Sequence, residues 1–210
     1  MIPRVLHFVW IQGLAAMPAD YWRCLESWAP MHPGWEVRVW DRGTLGWIEN
    51  VWVWTINNPT LQSEIARFEI VNRHGGIYMD ADMECVRPIG DLVTGLNAFA
   101  SMRNDTMVET AGFGAAADHP WLRDLVQRIG AGRERLRRVL DIETMLRESV
   151  MDHREICVFP PAVMQLGADI TDPSFVAQMY VKHHRFSLWM LDDERYRDMR
   201  RRGGLPCRST

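Results

Sequence analysis

Two hydrophobic periods alternate along the first hundred residues. Val5 to Ile11 is almost continuously apolar and rich in β-branched and aromatic side chains. That predicts a strand covered on both faces, as in a parallel sheet. Pro18 to Trp28 follows with Tyr21, Trp22, Leu25 and Trp28 at helical spacing, and Pro30 and Pro33 are expected to end that helix. Trp35 to Asp41 alternates, so Trp35, Val37 and Val39 share one face of a second strand. Strand, helix and strand within roughly 40 residues open a βαβ unit.

Beyond Pro59, a mostly helical stripe of Ile65, Phe68, Ile70 and Val71 runs towards Gly75 and Gly76, either of which can close the helix in a left-handed conformation. Ile77 to Met79 reads as the next strand, and Glu84 to Arg87 as its continuation until Pro88. Asn97 to Met102 is a further strand. Asp118-His119-Pro120 opens a helix through Ile129. Arg133 to Arg138 reads as a solvated helix face, Glu155 to Phe159 as a short strand closed by Pro160 and Pro161, and Asp192 to Arg202 as a charged helix stopped by Gly203 and Gly204. No repeat or linker interrupts the chain, so residues 1–210 are expected to form a single α/β domain.

Composition narrows the function. The apolar share is 47% and the charged share 24%, as in ordinary globular chains. A net charge of −3 supplies no field for nucleic acid and leaves membrane association at most peripheral. Ten tryptophans can fill a core or stack on sugar rings and bases. Cys24, Cys85, Cys157 and Cys207 have no zinc-binding spacing and read as reduced thiols. The opening segment is neither signal peptide nor membrane span, so the expected location is cytoplasmic.

The chemistry concentrates in His74-Gly75-Gly76-Ile77-Tyr78-Met79-Asp80-Ala81-Asp82. If the strand continued, Asp80 and Asp82 would face one side and Ala81 the other. Two carboxylates repelling at a strand's C-terminal end call for a hard divalent cation, Mn²⁺ or Mg²⁺, which takes oxygen ligands and bridges to phosphate. Two solvated aspartates in a surface turn are the alternative.

With Ser63-Glu64-Ile65-Ala66-Arg67, this stretch resembles the glycosyltransferases with a sugar-binding region containing the DXD motif. These include the yeast Och1-type mannosyltransferases, bacterial capsular polysaccharide transferases and, distantly, the clostridial glucosylating toxins. Ile2 to Trp10 and His32 to Asp41 are similar to that family's first two strands. The resemblance implies a GT-A fold, with a Rossmann-like nucleotide-binding half and mixed central sheet fused to a small acceptor-binding half. It also implies a nucleoside-diphosphate sugar donor, a divalent cation and transfer of a hexosyl unit with retention. A glycan or lipid-linked saccharide is the expected acceptor.

Carried over residue by residue, the resemblance places Trp10, with Val9 and Ile11, beside the donor base. Glu64 stands where the family has Asp, and with Ser63 and Arg67 it would hold the donor sugar and phosphate. An exposed i, i+3 ion pair is the alternative for Glu64 and Arg67. Tyr78 and Ala81 are expected near the donor, Asp80 on the ribose and the cation's water shell, and Asp82 on the cation. Ser187 and Trp189 match the family's closing Ser-x-Trp, with Trp189 and Ser187 stabilising the leaving diphosphate and Ser187, His183 or His184 completing the metal site. Gly112 to Ala115 is expected to floor the acceptor side, and Asp141 to Thr144 occupies the place of a Thr-Gly-Pro element. Two other functions remain open at this level. One is a non-catalytic nucleotide-sugar or glycan binder of the same fold. The other is a haloacid-dehalogenase-type phosphatase, whose motif normally lies near the first strand.

Overall fold

The computed structural model describes residues 1–104, 106–136, 139–164, 166–167 and 179–184. Its centre is a mixed six-stranded sheet in the order β2-β1-β3-β6-β5-β7. The strands are β1 Val5–Val9, β2 Glu36–Trp40, β3 Gly76–Met79, β5 Ala98–Met102, β6 Val108–Ala115 and β7 Cys157–Phe159. β2 and β3 flank β1 in parallel, and β6 runs antiparallel to both β3 and β5. A smaller sheet in the order β4-β9-β8 holds β4 Met83–Cys85, β8 Leu166–Gly167 and β9 Val181–His183.

Strand alternation sorts the core into two layers. Leu6, Phe8, Ile77, Met79 and Phe99 face one layer, with Tyr21, Leu25 and Trp28 packed on it. The last three come from α1 Ala19–Glu26 and α2 Trp28–Met31. Val9, Tyr78, Ala98, Ala100 and Phe113 face the other, covered by α3 Pro59–His74, α5 Pro120–Ala131 and α6 Val139–Asp152. The short helices α4 Gly90–Val93 and α7 Pro161–Met164 complete the set. α3 is buried along most of its circumference, including Gln62, Glu64, Arg67 and Glu69. A helix so placed presents polar side chains to the interior, where each needs a partner.

Several expectations need correction. Pro30 does not end the first helix. The break comes at Ser27, and Pro30 sits inside the single turn of α2, whose first-turn amide groups have no intrahelical acceptor to lose. Gly75 caps α3 with φ 63° and ψ −178°, a positive φ but not the left-handed helical region. Only glycine readily adopts this combination of positive φ and extended ψ. The next strand stops at Met79, and residues 80–82 form a turn closed by the Met83 amide donating to the Asp80 carbonyl at 3.0 Å. Gly112 to Ala115 is fully buried in β6 between β3 and β5, so it forms sheet interior and not an acceptor floor. Gly132 to Arg135 is an exposed turn between α5 and α6, and Arg137, Arg138 and the whole tail from Arg185 lie outside the described residues. Asp118 is not the cap of α5; the His119 ring nitrogen accepts from the Trp121 amide.

Candidate active site

The site forms where β3 ends. Asn58 caps α3 by accepting from the Leu61 amide at 3.1 Å, with Pro59 at the first helical position. One turn further on, Glu64 and Arg67 point into the protein at side-chain exposures of 7% and 3%. This rules out the exposed ion pair for them. The Arg67 guanidinium is fixed on every side. It meets Glu64 Oε1 at 3.0 Å and Asp80 Oδ1 at 3.0 Å, and donates to the Thr110 carbonyl at 3.1 Å and the Ser63 carbonyl at 3.2 Å. Its central carbon lies 4.5 Å from the centroid of the Tyr78 ring. Tyr78 serves two functions at once: its ring packs on Phe113 in the core, and its hydroxyl donates to Asp80 Oδ1 at 2.7 Å. Ser63 is turned towards Arg67, which reaches its Oγ at 3.4 Å.

Asp80, Asp82 and His183 each offer a ligand atom, and these atoms lie within 4.8 Å of one another. Ala81 between them packs into the apolar layer, so the turn achieves the separation that alternation had predicted. Two carboxylates this close repel by roughly 3 kcal/mol at an effective dielectric of about 20. Arg67 offsets part of that. His183 Nε2 lies 3.2 Å from Asp82 Oδ1. Burial works against the imidazolium of His183, yet the Asp82 carboxylate, with Asp80 and Glu109 behind it, holds its pKa above the ordinary histidine value. Burial also raises Asp80, against the pull of Arg67 and with the push of Asp82. Glu64 is pushed up to about 7, first by burial, with Arg67 opposing and Asp80 adding to it.

The structure separates the two histidines. His183 joins the aspartates. The His184 amide donates to the Asp82 carbonyl at 3.0 Å, but its ring reaches Glu84 at 2.7 Å, which takes it out of the ligand cluster. His183 Nδ1 and Glu64 Oε2 are buried with no hydrogen-bond partner among the described residues. Buried polar atoms without a partner call for an explanation, and a bound ion or ligand is one that fits their place beside the aspartates. Two carboxylates and an imidazole suit Mn²⁺ better than Mg²⁺, which prefers oxygen alone. These residues therefore fit the cation that the sequence implied.

A cleft of about 470 Å³ opens at the C-terminal ends of β1 and β2. Ile11, Gln12, Asp41, Arg42, Asn58 and Gln62 are among its walls. Ile11 lines this cleft, whereas Val9 is buried in its strand. Trp10 packs its ring on Tyr21 at 4.8 Å, and its indole nitrogen is buried without a partner among the described residues. Ser187 and Trp189 lie outside the described residues.

The sequence reading missed this cleft and a buried ion-pair network. Asp41, Arg42 and Gln62 belong to the cleft, and the Asn-Pro start of α3 was the signal that could have placed the last. Arg103 links Glu109 of β6 to Glu143 of α6, both buried. Glu143 comes from the Asp141 to Thr144 segment. Nothing in its spacing announced the ion pair, which joins residues 40 apart.

Among the described residues, no helix is long and apolar enough to cross a membrane. Residues 18–100 match the family model for the glycosyltransferase sugar-binding region containing the DXD motif. An uncharacterized glycosyltransferase of Acanthamoeba polyphaga mimivirus is 30% identical over 110 residues, 47% of this chain and 42% of that protein. Inositol phosphoceramide mannosyltransferase 1 of Schizosaccharomyces pombe is 24% identical over 194 residues, 87% of this chain and 52% of the relative. The chain thus spans about half the length of the curated relatives it matches, or less. Among solved structures, the PaToxG glycosyltransferase superposes with a TM-score of 0.60 at 14% identity, over 72% of this chain and 69% of its own. The galactosyltransferase LgtC, solved with donor and acceptor sugar analogues, gives 0.51 at 13% identity over 96% and 100%. Over residues 18–100 the chain is thus similar to the glycosyltransferases that carry a DXD-motif sugar-binding region, and its fold is the GT-A fold of these solved structures.

Proposed function

We propose that this protein is a cation-dependent transferase that moves a hexosyl unit from a nucleoside-diphosphate sugar to a hydroxyl of a glycan or lipid-linked saccharide, with retention. The observation that carries this reading is the convergence of Asp80, Asp82 and His183 beside the buried Glu64–Arg67 pair. Mannose is the first donor sugar to test, because two curated relatives are named mannosyltransferases.

In this reading Asp80, Asp82 and His183 hold Mn²⁺ or Mg²⁺. When bound, the cation neutralises the diphosphate as it leaves. The unpartnered Oε2 of Glu64 accepts from a hydroxyl of the donor sugar and fixes its orientation. Arg67, held by five residues, keeps Glu64 and Asp80 in place and supplies fixed positive charge to the donor side. The cleft along Ile11, Asp41, Arg42 and Gln62 receives the nucleoside. Ser187 and Trp189 remain the expected donors to the departing phosphate. A cytoplasmic location belongs to the same proposal.

The phosphatase alternative requires its first aspartate for attack on phosphorus. Asp80 Oδ1 already carries Arg67 and Tyr78.

The test is a thermal-shift panel of UDP, GDP, CDP and dTDP, each with Mn²⁺, Mg²⁺ or EDTA, followed by donor hydrolysis with the nucleotide that responds. A ligand at 100 times its Kd adds about 2.7 kcal/mol, enough to move Tm by several degrees. A shift with one nucleotide that needs the cation, plus cation-dependent hydrolysis, supports the transferase. Binding without turnover in the presence of acceptor sugars would favour the non-catalytic binder.

A further inference from the structure

The strand that follows the acidic turn has an unusual outer edge. β4 pairs with β9 on one side, with Met83 opposite His183 and Cys85 opposite Val181. Alternate backbone groups of such a strand point away from the partner. At an open edge they would be left to solvent or to another chain. Here they meet side chains from the junction of α1 and α2. Trp28 Nε1 donates to the Met83 carbonyl at 2.8 Å. The Cys85 amide donates to Ser27 Oγ at 2.8 Å. Two residues past Arg87, the Ile89 amide donates to His32 Nε2 at 3.0 Å.

The hydrogen-bond directions leave little freedom. A carbonyl only accepts and an amide only donates. Ser27 therefore spends its single proton on the Cys24 carbonyl and accepts from Cys85 with a lone pair. His32 Nδ1 donates to the Trp28 carbonyl at 2.9 Å, so its other nitrogen must be the unprotonated one. The junction is itself anchored to the central sheet. The Trp28 ring is fully buried, stacks on His32 and meets Phe8 of β1 edge-on at 5.9 Å.

We propose that Ser27 and Trp28 are positioning residues for the cation site, substituting for a missing strand beside β4. Met83 directly follows Asp82, and the His184 amide closes the ladder onto the Asp82 carbonyl. Fixing β4 from the α1–α2 side therefore fixes Asp82. Across the β4–β9 ladder it also fixes His183. The clamp bonds of Ser27, Trp28 and His32 run to backbone groups and not to the ligand atoms. This inference rests on the cation site of the proposed function.

The test is Mn²⁺ titration of the full chain, followed by the electron paramagnetic resonance of free Mn²⁺. Ser27→Ala removes the hydroxyl, and Trp28→Phe removes only the indole N–H and part of the ring. Loss of groups that orient metal ligands typically weakens affinity 10- to 100-fold, and we expect about tenfold for each variant. Leu125→Ala, in the apolar layer on the other face, serves as a destabilised control and should bind Mn²⁺ as the wild type does. Melting in EDTA reports the stability of all three. Wild-type affinity in both clamp variants, whatever their Tm, overturns the proposal. So does an equal loss in Leu125→Ala, because the effect would then follow stability. A wild-type chain that binds no Mn²⁺ overturns the cation site itself, and the positioning proposal with it.

Discussion

Histidines packed near the two ends of β3 have pKa values shifted in opposite directions. At the start of the strand His7 is fully buried, and both ring nitrogens are used. Nδ1 accepts from the Trp40 indole at 3.1 Å, so Nε2 carries the proton and donates to the Gly75 carbonyl at 2.8 Å. Burial lowers its pKa to about 4, and it stays neutral. At the end of the strand His183 faces two aspartates, its pKa is raised, and one nitrogen has no partner among the described residues. Burial is similar at the two places, and the difference is whether the surroundings satisfy the ring. The satisfied end reads as architecture. The charged and incompletely satisfied end is where a ligand is expected.

The sharpest way to break this contrast is to remove the charge at the functional end. Asp82→Asn is expected to cost roughly 10²- to 10³-fold in cation-dependent turnover. Its melting temperature in EDTA should stay near that of the wild type, since relief of the repulsion with Asp80 offsets loss of the charged contact to His183. Donor hydrolysis at saturating Mn²⁺ reads the first effect; retained activity would remove Asp82 as a principal ligand.

The opposite outcome is expected at the start of the strand. Gly76 has φ 105°, and a Cβ there would lie 2.7 Å from the Val5 carbonyl oxygen and 2.8 Å from His7 Nε2. Gly76→Ala should destabilise by about 3 kcal/mol through strain and overlap. On a chain of this size that lowers Tm by about 10 °C. The residual folded fraction should bind Mn²⁺ normally. A substitution at Gly76 that spared stability but abolished binding would undo the division between the two ends.

Acid should also distinguish them. Below pH 6.5 the unfolded chain protonates His7, while the folded protein resists until about pH 4. Stability is therefore complete above pH 6.5 and falls as pH drops towards 4, at about 1.4 kcal/mol per unit. Urea midpoints between pH 7 and pH 4.5 should show a flatter dependence in His7→Gln than in the wild type. Equal slopes would mean that His7 titrates normally and is not held neutral by its partners.

The smallest effect is expected at Glu64. Glu64→Gln keeps the shape but removes a charged acceptor, and should raise the donor KM about tenfold. Burial pushes this carboxyl up, which offsets part of the loss of the charged contact to Arg67, so the change in stability should be small. A large fall in Tm with unchanged KM would make Glu64 a structural partner of Arg67 and nothing more.

Much of this was legible in the chain. The strand before Trp10, the helix after Pro59 and the strand ahead of Asp80 all show in local periodicity, because one face of each must be buried. The Asp80–Asp82 pair and the Glu64–Arg67 spacing are visible for the same reason: both are short-range. The sequence by itself also determined the glycine pair, since only glycine tolerates the backbone at positions 75 and 76 without strain. The tertiary structure decided what lies far apart in the chain. It set the ring of His183, and not that of His184, beside the two aspartates and buried the Glu64–Arg67 pair. It turned Tyr78 towards both core and site, and brought Glu143 to Arg103. It also set Ser27 and Trp28 against β4. None of these leaves a periodic trace, because each depends on which elements pack together. A buried polar group takes whatever partner that packing brings within hydrogen-bond reach.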